Sequence, residues 1–324
     1  VMNLALGNLV NADRLEKVVL AKRVSRFLAT TGHGEAEIDA ASNIARALAQ
    51  DLSIQVRETL SFELRLCRNI PHDLAARIVS DIDSVSGPFI EVTEALSDGQ
   101  WAGLVPHLEE HAHLRLARRK DIGEQTAYAL VANGSEQTAA RVMANIEIRL
   151  TERVYDKTID RFSSSELVLG EMSRRDDLAL RIVERIIGLV SEDYKRILLS
   201  NYALPKEVVA EIVFKTQHET LWRQIAKAGP AQVHGYVVDL KREGRLSETL
   251  TLEMVERGSF QFLGSALAIE AGVTLGAVRA VLEQGDLREV LKLVYAAGFG
   301  RGGAQRICRV LKENQIAVRR SAVN

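Results

Sequence analysis

The sequence predicts an all-α protein, an α-solenoid of short helical hairpins, on three observations. The chain partly repeats itself at an offset of 56 residues, and apolar residues recur at helical spacing between the repeated positions. No run alternates apolar and polar residues for long enough to make a sheet. Five prolines and 5% aromatics in 324 residues argue against both a disordered chain and an aromatic-rich β-sandwich. At this length one compact core gives way to two domains or to an elongated repeat.

The chain opens on "VMNLALGNLV", apolar but without the basic stretch and cleavage-like site of a secretory signal. No segment approaches the roughly 18 uninterrupted apolar residues of a membrane span. With Cys67 and Cys308 far apart and in no Cys-x-x-Cys pair, a reduced cytoplasmic location is expected. From about residue 38 to about residue 228 the pattern reads as successive helical hairpins. "NIPHDLAARIV" (69–79) has the same apolar pattern as "ALPKEVVAEIV" (203–213), and Pro71 and Pro205 suit a first helical position, where the missing amide costs nothing.

The 56-residue offset places Arg118, Arg119, Asp121, Ser135, Glu136 and Asn145 on Arg174, Arg175, Asp177, Ser191, Glu192 and Asn201. Each position makes sense at a helix joint. The arginines meet the negative end of the preceding helix, and Asp121, with Glu124 completing a capping box, can accept the free amides of the next. Ser135 and Ser191 are expected as N-caps, and Asn145 and Asn201 as stops. "SSS" (163–165) reads as an N-cap cluster before Glu166. Four helices in 56 residues give about 28 per hairpin, below the roughly 34–47 of the usual helical repeats. Ile182, Ile186 and Val190 belong to one apolar stripe, and Val208, Val209, Ile212 and Val213 form another. After "AKAGP" the joints become glycines, so a boundary is expected near Gly229–Pro230. It would separate a helical-repeat region, 1–229, from a C-terminal helical region, 230–324, that continues or caps the stack.

"DLSIQVR", with Asp51, Val56 and Arg57, has the spacing of the aspartate and valine-arginine pair of HEAT repeats, although Asn43 stands where those usually carry proline. Residues from about 45 to 300 resemble an uncharacterised family of bacterial HEAT-like helical-repeat proteins, a domain of unknown function. The segments that carry the likeness are "QVRETLSFEL", "NIPHDLAARIVSDI", "LARRKDIGEQTAYALVANGSEQTAARVMAN" and "MSRRDDLALRIVERI". The resemblance implies an α-solenoid of HEAT-like hairpins, expected as a right-handed superhelix, and implies no catalytic residues.

Candidate site residues are few. Arg68, Arg118, Arg119, Arg174 and Arg175 all precede a helix start and could form a ridge of planar donors for carboxylates or phosphates; the competing reading is that each serves its own joint. Trp101 follows "SDGQ" and could be an exposed partner anchor. His107 and His111 lie one helical turn apart, with His113 beside them, but Leu108 stands where a zincin carries its glutamate, so no metal is expected. "GFGRGGAQR" offers glycines near Arg301, Arg306 and Arg309 as an anion cradle, without the strand and distant acid of a dinucleotide site.

These features lead to a non-enzymatic scaffold or adaptor that binds a protein or peptide, with no cofactor. One alternative is a nucleic-acid-binding or DNA-repair protein. A net charge of −1 counts against it, although Arg301, Arg306, Arg309, Lys312, Arg319 and Arg320 face only Glu313 at the C-terminal end. Another is a sensor of a small phosphorylated ligand. The sequence does not fix the oligomeric state.

Overall fold

A computed structural model describes residues 12–30, 32–201 and 205–314. Among them are nineteen α-helices, one turn of 3-10 helix and no strand. The protein is an all-α helical-repeat solenoid, and it divides into two compact units between Asp177 and Leu178. That division comes earlier than the expected boundary, because Gly229–Pro230 only joins two helices of the second unit. Among the described residues no helix is long and apolar enough to cross a membrane.

The first unit contains α1 (Arg14–Ala29), α2 (Glu35–Leu48), α3 (Ile54–Leu64), α4 (His72–Val79), α5 (Asp83–Ile90) and α6 (Asp98–Leu104). It continues through α7 (Glu110–Leu116), α8 (Glu124–Asn133), α9 (Glu136–Ala144), α10 (Glu152–Phe162) and α11 (Glu166–Ser173). Most of these helices pack on the one two places further along. The chain α1, α3, α5, α7, α9, α11 makes one layer, and the contacts of α2 with α4, α6 with α8 and α8 with α10 make the other. This is how a chain of nearest-neighbour hairpins buries a continuous core. Leu60, Leu64, Phe89, Ile90, Leu116, Leu130, Met143 and Tyr155 fill it.

Helix starts follow the local chemistry. Asp13, Ser97, Ser135 and Ser165 each accept an amide of the first turn, and Asp13–Glu16 and Ser97–Gln100 are reciprocal capping boxes. Pro71 and Pro205 stand one residue outside their helices, as N-caps. Asp121 does not cap α8. Its carboxylate is held by Arg119, and the first-turn amides of α8 are satisfied instead by Asp98 of the preceding hairpin.

The second unit begins with two long helices, α12 (Leu180–Asn201) and α13 (Lys206–Lys227), packed together as a hairpin. Ser191, expected as an N-cap, therefore lies inside α12: no proline interrupts the segment and apolar residues recur on both sides of Ser191, so the helix runs past the point where the 56-residue pattern would end it. Asn201 is the last residue of α12 rather than a stop outside it, and its side chain lies outside the described residues.

Shorter helices follow: α14 (Pro230–Arg242), α15 (Glu248–Glu256), α16 (Phe260–Ala271), α17 (Leu275–Gln284), α18 (Leu287–Ala296) and α19 (Arg301–Glu313). Their joints repeat. Gly244, Gly258, Gly272, Gly285 and Gly298 all have positive φ, at spacings of 14, 14, 13 and 13 residues. At Gly272 and Gly285 the backbone is left-handed, a C-terminal conformation that other residues adopt at a cost. Two joints thus span 26–28 residues, the hairpin length of the first unit. The helices α14, α16 and α18 stack in order, and α15 packs on α19.

Candidate interaction surface

The doubled arginines resolve into one inward and one outward member. The Arg175 side chain is 3% exposed and spends every N–H. Its Nε and Nη2 fork onto Asp177 at 2.8 Å each, and Nη1 and Nη2 donate to the carbonyls of Met143, Asn145 and Ile148 at 3.1, 2.8 and 2.9 Å. Arg119, one offset earlier, does the same at its own joint: it forks onto Asp121 at 2.8 and 2.6 Å and donates to the Ile90 carbonyl at 2.6 Å. Arg57 forks onto Asp81 and donates to the Asp51 carbonyl, so the residues that resemble HEAT repeats are a third such joint. Buried guanidinium groups of this kind close the carbonyl ends of one hairpin from the next.

The ridge of partner-binding arginines is therefore corrected for Arg119 and Arg175, whose donors are all directed into the protein. Arg118 and Arg174 are exposed, and Arg174 pairs with Glu171 in its own helix. Arg68 pairs with Glu94 of the next hairpin at 2.5 Å. Trp101 is 3% exposed and packs under Arg119, whose guanidinium lies 5.7 Å from the ring, so it is a core residue and not an exposed anchor.

The joints carry a pH signature. Arg119 and Arg175 hold the carboxyls of Asp121 and Asp177 below the ordinary aspartate range. A carboxyl lowered by folding contributes stability that is complete above its unfolded pKa and is lost as pH falls through the folded value. Melting temperature is thus expected to fall once the pH drops below about 4, the unperturbed aspartate range. Asp177→Asn should lower it at pH 7 and flatten that acid slope; an unchanged slope would detach the pair from acid stability.

The histidine cluster is structural. The Nε2 of His113 donates to the Val105 carbonyl at 2.8 Å, and that of His111 to the Asp81 carbonyl at 3.1 Å. His107 is exposed, and among the described residues no three potential ligands gather around a metal site. The glycine-rich segment already holds an anion of the chain itself. The Gly300 amide donates to Glu248 Oε2 at 3.2 Å, and a Cβ on Gly303 would lie 2.0 Å from Glu248 Oε1. Arg306 is paired with Glu256, while Arg301 and Arg309 are exposed; Arg319 and Arg320 lie outside the described residues.

What the candidate residues leave open, the α12–α13 hairpin supplies. Its base is fastened to the helices that follow. Glu184 of α12 pairs with Arg245 and accepts the Tyr236 hydroxyl at 3.2 Å. Glu219 of α13 pairs with Arg257 at 3.1 Å, and Leu180, Leu221 and Ile225 enter the cluster formed by Val233, Tyr236, Val237 and Phe262. Towards the loop the same faces continue into solvent. On α12, Ile182 and Ile186 are buried, but Val190, the next residue of the stripe, is 54% exposed. On α13 the stripe of Ile225 and Leu221 runs on to Phe214, 58% exposed, its ring 4.0 Å from that of His218.

Val208 and Ile212 flank the buried Val209 and Val213, and Ile212 is 43% exposed. The neighbouring charges are largely neutralised within each helix, by Lys195–Glu192, Arg196–Asp193 and Lys215–Glu211 at 3.5, 3.1 and 3.0 Å. Each of these stripes is thus core at one end and partly exposed at the other. Both stripes are visible in the sequence, but periodicity alone reads them as core throughout. The missing signal was helix length: 22 residues each, against 8 for α11 immediately before the hairpin and 13 for α14 immediately after it.

A family profile described as "Uncharacterised protein conserved in bacteria (DUF2336)" matches residues 85–323. No curated protein and no solved structure matches the chain.

Proposed function

We propose that this chain, which belongs to that family of uncharacterised proteins conserved in bacteria, is a non-enzymatic helical-repeat scaffold that binds a protein partner. The observation that carries the reading is the set of half-exposed apolar side chains towards the loop of the α12–α13 hairpin, Val190, Val208, Ile212 and Phe214, with Phe214 on one side of α13 and Val208 and Ile212 on the other. Completing the burial of side chains that are already about half covered supplies roughly half of the 1.5–3 kcal/mol of full burial for each, before the costs of association. The arginine joints play no part in this reading. A cytoplasmic location suits the two free thiols, Cys67 and Cys308.

The test is capture by the immobilised full chain, compared with a Val190→Glu, Ile212→Glu variant. The wild type is expected to retain a defined partner and the variant to lose it, with circular dichroism and melting temperature matched. Retention by both would overturn the reading. The alternative of a phosphorylated-ligand sensor is disfavoured by Glu248, which already occupies the glycine-rich segment. Inorganic phosphate and nucleotides at millimolar concentration are therefore expected to leave the melting temperature unchanged, and a concentration-dependent rise would restore that alternative. Nucleic-acid binding has the net charge of −1 against it, and a gel shift at low salt should show no retardation.

A further inference from the structure

We infer that the outer face of α1 is a separate interaction surface, which lies against an anionic lipid bilayer. The inference goes beyond the scaffold reading and does not rest on it, because α1 and the α12–α13 hairpin belong to different units.

The face follows from helix geometry. Ala21, Val24, Ser25 and Leu28 make the buried side of α1, a helix that packs on α2 and α3. With 3.6 residues per turn, Leu15, Val19, Lys22, Arg23 and Arg26 share one arc of about 100° on the opposite side. All five are exposed, Leu15 at 73% and Val19 at 43%. Among the described residues none of these three cations is paired with an acid, whereas Lys17, on the buried side, is bridged to Asp51 at 2.8 Å. Glu16, at the edge of the arc, accepts the Asp13 amide in the capping box.

Charge and polarity select the occupant. Within residues 13–30, Arg14, Lys17, Lys22, Arg23 and Arg26 stand against Asp13 and Glu16, in a chain whose net charge is −1, so the remainder of the chain is net negative. An anionic surface is therefore attracted here and, on average, repelled elsewhere. The apolar members of the face lie at its N-terminal end, and residues 1–12, of which 1–11 lie outside the described residues, contain no charged side chain. Apolar sequence leading into an exposed basic face suits a bilayer interface, where Leu15 and Val19 enter the acyl boundary and Lys22, Arg23 and Arg26 reach the headgroup phosphates. A polyanion such as nucleic acid answers the cations and leaves Leu15 and Val19 in water.

Two weak signals on one face set the strength. Leu15 and Arg26 are about 16 Å apart along the axis at 1.5 Å per residue, so the apolar and basic halves engage the same patch of lipid. Neither a pair of aliphatic side chains nor three cations attaches a protein firmly alone, and together they give reversible binding. The cations act within a Debye length, about 8 Å at physiological ionic strength, so the contact is sensitive to salt.

The experiment is flotation of the full chain with vesicles of phosphatidylcholine alone or mixed with phosphatidylglycerol. Wild type is expected to float with the mixed vesicles at low salt, to remain behind with phosphatidylcholine alone, and to dissociate as salt rises to about 0.5 M. Lys22→Gln, Arg23→Gln, Arg26→Gln should lower partitioning at least about tenfold through the lost phosphate contacts. Leu15→Ser, Val19→Ser should do so to a similar degree through the lost apolar area. All five side chains are exposed, so melting temperature and circular dichroism should match wild type. Arg301→Gln, Arg309→Gln, Lys312→Gln, which removes exposed cations of α19, should float as wild type does. A wild type that ignores anionic vesicles at low salt overturns the inference, as does one that floats equally with both kinds. Flotation that survives either α1 variant, or is lost in the α19 variant, overturns it as well.

Discussion

Arg175→Ala is expected to destabilise the first unit by about 3–5 kcal/mol, the cost of removing one partner of a buried, multiply bonded charge. The loss has identifiable parts. Met143 and Ile148 lie in the C-terminal part of α9 and the segment after it, and their carbonyls, with that of Asn145, have Arg175 as a donor from the next hairpin. Leaving such acceptors buried costs more than the net value of the bonds themselves. Tyr155 also loses the guanidinium 5.9 Å from its ring centroid. Asp177, a third exposed, regains water and softens the loss.

Two controls separate this account from a generic charge effect. Arg174→Ala, next in sequence but exposed, should change stability by no more than about 0.5 kcal/mol, as surface substitutions usually do. Arg175→Lys should recover less than half of the loss, because an ammonium group cannot fork onto Asp177 while donating to three carbonyls in one plane. Urea denaturation followed by Trp101 fluorescence reads the transition, since Trp101 lies in the first unit and Trp222 can be replaced. If Arg174→Ala and Arg175→Ala are equivalent, the joint is not what holds these hairpins together.

The opposite fates of adjacent arginines mark the limit of what the sequence made legible. The offset of 56 located both members of each pair and gave the hairpin length, because recurrence of Arg-Arg-x-Asp needs no knowledge of direction. Which arginine turns inward depends on where the helix ends: α7 stops at Leu116, and the turn after it aims Arg118 at solvent and Arg119 back along the previous hairpin. A shift of one residue in that ending would exchange their roles, and helix boundaries are the least certain feature of a sequence.

The candidate surface was hidden for a different reason. Val190 and Ile212 have the spacing of core residues, and what makes them surface is that no helix among the described residues covers them fully. Coverage is a property of neighbours, and those of a hairpin depend on how far it outruns them. The glycine-rich segment shows the same limit: its amides were legible as an anion cradle, but the anion, Glu248, lies 52 residues before Gly300. Long-range pairing of this kind has no local sequence signature.

The second large effect is expected at Asp98, where the hairpins are joined through their helix starts. Its carboxylate accepts the amides of Gly123, Gln125 and Thr126 at 3.0, 3.0 and 3.1 Å, and the Thr126 hydroxyl donates to its backbone carbonyl at 3.0 Å. The device recurs down both layers. Glu110 accepts the hydroxyls of Ser135 and Thr138 at the start of α9, Glu124 accepts that of Thr151 before α10, and Glu136 accepts that of Ser165 before α11. An acid in the first turn of one helix thus secures the start of the helix two places on, where negative charge also meets the positive end of the helix dipole.

Asp98 differs from the other three because it acts on backbone amides directly. Gly123 must lack a side chain for this, since a Cβ there would lie 2.5 Å from the carboxylate carbon. Asp98→Ala should therefore cost about 2–4 kcal/mol, more than a single N-cap because three amides and a buried threonine lose their acceptor together. Asp98→Asn should cost about half as much, since one oxygen remains to accept. Hydrogen exchange at Gln125 and Thr126 is the direct reading: protection there should fall by at least about tenfold in Asp98→Ala, through loosening of the first turn of α8. Protection that persists while global stability falls would place the effect of Asp98 in α6 itself rather than in its grip on the next helix.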